Sequence, residues 1–533
     1  MKWIMKQQAA ESELNALTQA LATQEEFPAP LAQVLIQRGI SDFESARRFF
    51  KPPVSDLHSP WLMRDMHIAV ERIVKALKGH EQILIYGDYD VDGTTSVTLL
   101  KLFFQAWGWE MDFYIPDRYT EGYGISFKGI DHAHQQGYSL IIALDCGTKS
   151  PDKVAMARER GIDMIICDHH QTGGGHPGSL AFLNPLQADC EYPYKDLSAC
   201  GIGLKLVQAL HETLLLDTEL QGRQPQSAPF DQFCDLVTLS IASDLVQITD
   251  ENRMIAWHGL EKLRKDPLPG IASLMRLSTT TRSWDIGDVV FFLGPMINSA
   301  GRLHHARGAV DVLLGNHLEQ DFVAGLLEQS NADRKNLDRE ITRQALAIMG
   351  SDPKTPQLST TVLHQHDWHK GVIGIVASRI IEQHYKPTIL LTRTDGDLWV
   401  GSGRSIHGFD LYSALEHCAP WLVQFGGHRF AAGLTVKGSE LEAFKDAFEQ
   451  YGQQHIGPDQ KEALLDIATQ LDFVYISPKL IRILKRFSPF GPGNPEPVFV
   501  AAGVEVRDSR ILQEEHLRLM LRQGGVTFEA IGF

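Results

Sequence analysis

The stretch Ile83-Leu84-Ile85-Tyr86-Gly87-Asp88-Tyr89-Asp90-Val91-Asp92-Gly93-Thr94-Thr95 constrains this chain more than any other. Its apolar run reads as a buried strand, and three aspartates follow at alternate positions. In an extended backbone, side chains at i, i+2 and i+4 lie on one side, so Asp88, Asp90 and Asp92 are expected to converge. Gly93, Thr94 and Thr95 then supply a turn and a helix cap. Three carboxylates at one point repel unless a cation sits among them. The bland alternative is a loop of solvated aspartates, since turns favour Asp and Gly.

Two further runs repeat the pattern. Ser139 to Gly147 is apolar and closes on Asp145, and Asp163 to His170 is apolar and closes on Asp168, His169 and His170. With a helix-compatible stretch from Ser150 to Gly161 between them, the three runs read as parallel strands with right-handed connections. Their carboxyl ends then share one sheet edge, where open α/β folds bind ligands. Asp90, Asp92, Asp145, His169 and Asp244 are expected to meet there. Mixed carboxylate and imidazole ligands suit Mn²⁺ or Mg²⁺ better than a thiolate zinc site. Cys146 and Cys167 lack a CxxC partner and read as packing residues.

The stretches Gly87–Gly93 (GDYDVDG), Asp145–Gly147 (DCG) and Asp168–His170 (DHH), in that order and spacing, resemble the DHH phosphoesterase superfamily. Ala242–Val246, Gly294–Leu303, Trp368–Arg379, Gly401–Ser405 and Phe425–His428 further resemble its bacterial RecJ branch of single-strand DNA exonucleases. The resemblance implies an α/β protein: a parallel-sheet DHH catalytic domain, a long connecting helix, a second α/β DHH-associated domain and a C-terminal OB-like β-barrel. It implies a metal-dependent 5′-to-3′ exonuclease that releases 5′-mononucleotides from single-stranded DNA in recombination and repair. A helicase and a single-strand-binding protein are the implied partners.

The same resemblance divides the site. Two divalent ions, Mn²⁺ or Mg²⁺, would share Asp145, with Asp90 and either Asp88 or nothing more on one ion and Asp92, His169 and Asp244 on the other. Asp145, Asp168, His169 and His170 are the catalytic set. Asp168 is expected to accept an imidazole N–H and fix the tautomer of the metal-bound histidine, which leaves His170 to face the phosphate. Arg118, Tyr123, Asn298, Arg302, Lys370, Arg379, Ser402, Arg404, Gly427 and His428 are the expected nucleic-acid contacts, with Tyr123 a candidate for base stacking. For the arginines, surface salt bridges are the competing reading.

At 533 residues the chain exceeds one core, and about 150 residues per domain suggests three or four. The expected boundaries are 1–54 for a helical lead-in without chemistry, 55–230 for the catalytic domain and 231–350 for a helical continuation with the connecting helix; 351–458 forms the second α/β domain and 459–533 an OB-like domain whose barrel is expected to be incomplete. Gly173 to Gly175 and Glu219 to Pro229 read as loops. No apolar run reaches the roughly 18 residues of a membrane span, and the N-terminus lacks a signal-peptide core, which places the chain in the cytoplasm; a monomer is expected. Six scattered cysteines form neither a disulfide framework nor a zinc finger. A net charge of −16 argues against broad adhesion to nucleic acid but leaves room for a local basic groove. The competing functions are a manganese pyrophosphatase, disfavoured by Tyr86, a nanoRNase or nucleotide phosphatase, disfavoured by the β-rich tail, and a non-catalytic DNA-binding scaffold, disfavoured by the complete acid and histidine set.

Overall fold

The computed structural model describes residues 1–532 except 23–26, 174, 221–226, 304, 316–319, 352, 354–356, 395 and 513–515, and the side chains of 303, 320 and 321. Gly174 of the glycine loop and most of the loop after Glu219 therefore lie outside the described residues. By internal packing the chain divides into two units, Met5–Glu328 with Ile467–Phe533, and Met1–Ile4 with Gln329–Asp466.

In the first unit the strand Ile83–Gly87 is buried along its whole length. It pairs on both sides within a five-stranded sheet ordered Asp112–Tyr114, Ile83–Gly87, Leu140–Leu144, Asp163–Cys167 and Ala181–Leu183, with every pair parallel. A sheet covered on both faces needs continuous apolar runs rather than alternation, which is how these strands read in the sequence. One face packs on Phe103, Trp107, Leu204 and Leu236, the other on Ile130, Val154 and Ala157. The three-residue strand Ala181–Leu183 is too short to announce itself by period.

Among the described residues one helix, Ala199–Leu216, is long and apolar enough by composition to cross a membrane, although Lys205, His211 and Glu212 interrupt its apolar run. It is a core helix, 67% buried. Its Lys205 ammonium lies 2.6 Å from Glu251, with both side chains wholly enclosed.

Helices Glu11–Leu21, Ala29–Ile36 and Phe43–Phe50 form within the N-terminal segment. Their Leu17, Leu31 and Leu35 share a core with Ala468, Leu471, Leu480 and Phe487. Arg253 joins this core to the helix Asp250–Lys265: its guanidinium stacks 3.7 Å from the Phe49 ring centroid and donates to the carbonyls of Phe49, Phe487, Ser488 and Pro489. Beyond it, Val498 to Val506 does not form one strand as its alternation suggests. The strand stops at Val500, the chain turns through Gly503 at φ 65°, and Glu505–Leu512 opens an antiparallel meander with His516–Gln523 and Val526–Gly532.

The helix Gln320–Ser351 carries the chain into the second unit. There a five-stranded sheet runs in the order Leu422–His428, Ala431–Lys437, Leu398–Arg404, Thr388–Arg393 and Thr361–Gln365, and only the last pair is parallel. Helices Leu411–His417 and Leu441–His455 cover it through Leu415, Phe444 and Phe448.

Candidate metal centre

The first aspartate cluster is built by a strand end and a helix start. The strand ends at Gly87, Asp90 caps the helix Val91–Ala106 by accepting the Gly93 N–H at 3.1 Å, and Asp92 lies in the first turn. Extended alternation is therefore not what gathers Asp88, Asp90 and Asp92, and the cap is Asp90 rather than Gly93 or the threonines. A capping carboxylate satisfies orphan N–H groups that a glycine could not. Gly93 has another task. A Cβ there would stand 2.3 Å from the Asp88 carbonyl oxygen, so the helix can pass this close to the acid loop only without a side chain. Gly93→Ala is expected to push the two apart at a cost of about 1–3 kcal/mol and to weaken Mn²⁺ binding at least about tenfold by calorimetric titration; unchanged affinity would mean the loop shifts freely.

The side chains then form overlapping clusters with ligand atoms within 4.8 Å of one another: Asp88, Asp90 and Asp145; Asp92, His169 and Asp244; and Asp145, Asp168, His169 and His170. The His169 Nε2 atom lies 3.4 Å from Asp145, 3.5 Å from Asp244 and 3.7 Å from Asp92. Asp145, 2% exposed, belongs to two clusters. It sits at φ 60°, a left-handed conformation uncommon outside glycine and asparagine, just past the strand Leu140–Leu144.

The residues fit a pair of cations. Burial and then the neighbouring Asp90, Asp92, Asp244 and Asp88 push the Asp145 carboxyl well above the usual carboxylate range. Burial, then Asp90, does the same to Asp88, whose Oδ1 accepts the Gly124 N–H at 3.1 Å while its buried Oδ2 has no hydrogen-bond partner. Burial, then Asp92 and Asp90, raises Asp244, which follows the last residue of the helix Pro229–Ser243, where the helix dipole disfavours a negative charge. Repelling, desolvated acids around an unsatisfied oxygen are costly in isolation and favourable around divalent ions. Asp92 is anchored by the Ala199 and Cys200 N–H groups at 2.8 and 2.9 Å and the Ser240 hydroxyl at 2.7 Å. All six cysteines are buried and unpaired, and none joins a cluster.

Asp168 does not serve the imidazole of His169 as the sequence reading expects. Its carboxylate accepts from Nδ1 of His170 at 2.7 Å and from the N–H groups of Thr148 and His169 at 3.0 and 2.8 Å. Tight adjacency decides this: the His169 ring turns into the acid cluster and the His170 ring folds back over the preceding aspartate. Burial raises Asp168, but the His170 hydrogen bond and the charges of His170 and His169 outweigh it and hold the carboxyl low. Burial lowers His170, but Asp168 prevails and lifts it to about 9. Asn184 and Thr148 complete this surround, Asn184 donating to the His170 carbonyl at 2.9 Å and to the Thr148 hydroxyl at 3.3 Å. The sequence reading passed over both, although Asn184 follows the apolar triplet Ala181–Leu183 as the other site residues follow their strands.

Of the expected nucleic-acid contacts, Arg118 places its guanidinium 4.9 Å from the Tyr89 ring centroid, and Asn298 and Arg302 lie one turn apart on the helix Gly294–Leu303. The Tyr119 hydroxyl donates to the Arg302 carbonyl, which ties that helix to the loop carrying Arg118. The second unit brings Ser402 and Arg404 together, with guanidinium and hydroxyl 3.2 Å apart beside the start of the helix Ile373–Gln383. Arg379, on that helix, instead pairs with the enclosed Asp338 at 2.9 Å. Lys370 precedes the helix, and Gly427 and His428 end the strand Leu422–His428.

Residues 82–241 match the DHH family, N-terminal domain, residues 356–454 the DHHA1 domain and residues 467–533 the RecJ OB domain. The chain is 31% identical over 542 residues to the single-stranded-DNA-specific exonuclease RecJ of Bacillus subtilis, spanning 100% of this chain and 66% of that protein. It is 30% identical over 524 residues to the protein of the same name from Salmonella typhimurium, spanning 95% of this chain and 89% of that one. The crystal structure of RecJ from Thermus thermophilus in complex with Mn²⁺ superposes with a TM-score of 0.84 at 26% identity, covering 99% of this chain and 74% of that one.

Proposed function

We propose a function from the premise that this chain belongs to the RecJ family of single-stranded-DNA-specific exonucleases: it is a metal-dependent exonuclease that hydrolyses phosphodiester bonds of single-stranded DNA. The observation that carries the chemistry is the pair of acid clusters joined through Asp145 and His169. In our reading Asp88, Asp90 and Asp145 would hold one divalent ion and Asp92, His169, Asp244 and Asp145 the other. Mn²⁺ or Mg²⁺ bound there supplies charge neutralisation for the phosphate and activation of the attacking water.

The remaining residues bind and orient. Arg118, with Asn298 and Arg302 on the neighbouring helix, would grip phosphates, while Ser402, Arg404, Lys370, Gly427 and His428 of the second unit would engage the strand through its backbone, as sequence-independent binding requires. His170, oriented by Asp168, would face the scissile phosphate as a donor or proton carrier. Digestion in the 5′-to-3′ direction to 5′-mononucleotides, action as a cytoplasmic monomer, and partnership with a helicase and a single-strand-binding protein belong to the same proposal. The match of 467–533 to the RecJ OB domain disfavours a two-domain nucleotide phosphatase, and the complete cluster of acids disfavours a metal-free scaffold.

Digestion of end-labelled single-stranded DNA with Mn²⁺ or Mg²⁺, beside a dinucleotide and pyrophosphate, tests the proposal. Stepwise release of mononucleotides from the 5′ end of long DNA is expected. Cleavage of the dinucleotide or pyrophosphate alone would overturn the substrate assignment.

A further inference from the structure

The loop that follows the strand Asp112–Tyr114 is folded around Glu121. That carboxylate accepts the Asp117 N–H at 3.0 Å, the Tyr114 hydroxyl at 2.8 Å and the Ser126 hydroxyl at 2.6 Å, so both ends of the loop are tied to its middle. Within this frame Tyr123 stands between Gly122 and Gly124, at φ 86° and 80°. Left-handed conformations on both sides of one residue are open to glycine at little cost, and they set the direction of the intervening side chain through the backbone.

That direction is towards His170. The Tyr123 hydroxyl lies 2.9 Å from His170 Nε2 and 3.3 Å from the Asp145 carbonyl oxygen. The other nitrogen of the same ring is 2.7 Å from Asp168. The imidazole is thus held at both ends, by a buried acid on one side and by a phenol that is 53% exposed on the other. A residue kept for packing would be enclosed, and one kept only to stack on a base would need nothing from its hydroxyl.

We propose that Tyr123 is a positioning residue for His170: its hydroxyl fixes the Nε2 side of the ring while Asp168 fixes Nδ1, so that the imidazole is presented in one orientation above Asp145. The phenol can donate to a bare Nε2 or accept from Nε2–H, so the restraint holds in either form of the ring. The proposal rests on the reading that His170 acts on the scissile phosphate.

The test uses the full chain as wild type, Tyr123→Phe, His170→Ala and the double variant. Each is assayed for kcat and KM on 5′-labelled single-stranded oligothymidylate with Mn²⁺, and for binding of the same oligonucleotide in EDTA by fluorescence anisotropy. Phenylalanine keeps the ring for stacking and removes only the hydroxyl. Tyr123→Phe is expected to lower kcat about tenfold or more while KM and the EDTA dissociation constant stay within about twofold. In the His170→Ala background the same change is expected to cost nothing further. A Phe variant with wild-type kcat, a matching loss of binding in EDTA, or losses that multiply in the double variant would overturn the proposal, as would full activity of His170→Ala. Failure of the wild type to digest the oligonucleotide would instead count against the exonuclease reading itself.

Discussion

Asp145→Asn is expected to remove nuclease activity, with kcat down at least about a thousandfold, or roughly 4 kcal/mol of transition-state stabilisation. It is also expected to leave the metal-free protein at least as stable as wild type. Both follow from where the residue sits. Asparagine tolerates φ near 60° as well as aspartate does, so the backbone past Leu144 need not move. The substitution also removes a carboxylate that burial and four neighbouring acids disfavour. What is lost is the group common to two of the clusters, and with it the thermal stability that bound Mn²⁺ is expected to add to wild type. A variant that melts lower than wild type in EDTA would mark Asp145 as a structural acid and sink the bridging role.

The same acids give the metal-free protein a pH dependence of definite sign. Asp88, Asp145 and Asp244 hold their protons more tightly folded than unfolded. In EDTA, stability should therefore fall as pH climbs from the ordinary carboxylate range, about 4, towards neutrality. Saturating Mn²⁺ should reverse the slope, because the ion binds only deprotonated ligands. Unfolding curves at about pH 5 and about pH 7.5, with and without Mn²⁺, read both slopes.

The parallel sheet was legible in the sequence because strands buried on both faces have no polar positions to blur them, and each run ends on the residue it delivers to the site. Legibility failed where a side chain's partner comes from elsewhere in the chain. Nothing local to Asp92 says that the N-terminus of the helix Ala199–Leu216 and Ser240 will hold it. Nothing in the pair His169 and His170 says which ring turns back onto Asp168; the usual need of a metal-bound imidazole for an acceptor favoured the metal-facing one, and the structure chose the other. The N-terminal segment is the largest such failure. Its helices read as a lead-in, yet Leu17 and Leu31 share a core with Leu471 and Phe487, more than four hundred residues away, and period-based reading has no access to that pairing.

Lys205→Met is expected to destabilise the protein by about 3–5 kcal/mol, the cost of leaving an enclosed carboxylate without its counter-charge. Glu251 accepts from Lys205 Nζ at 2.6 Å, from the His58 N–H at 2.9 Å and from the Tyr192 hydroxyl, and Lys205 also donates to the His58 carbonyl at 3.0 Å. Burial lowers the Lys205 ammonium and the Glu251 charge opposes that, so the pair stands or falls together. Lys205→Met with Glu251→Leu should recover part of the loss, because no bare charge remains, though the His58 N–H and the Tyr192 hydroxyl still lose their acceptor. Lys205 lies on the helix whose first N–H groups hold Asp92, so the single variant should also weaken Mn²⁺ binding where the double restores it. Urea unfolding of the two variants separates the cases. A single variant as stable as wild type would show that water reaches Glu251, and the helix would then owe its placement to its apolar face alone.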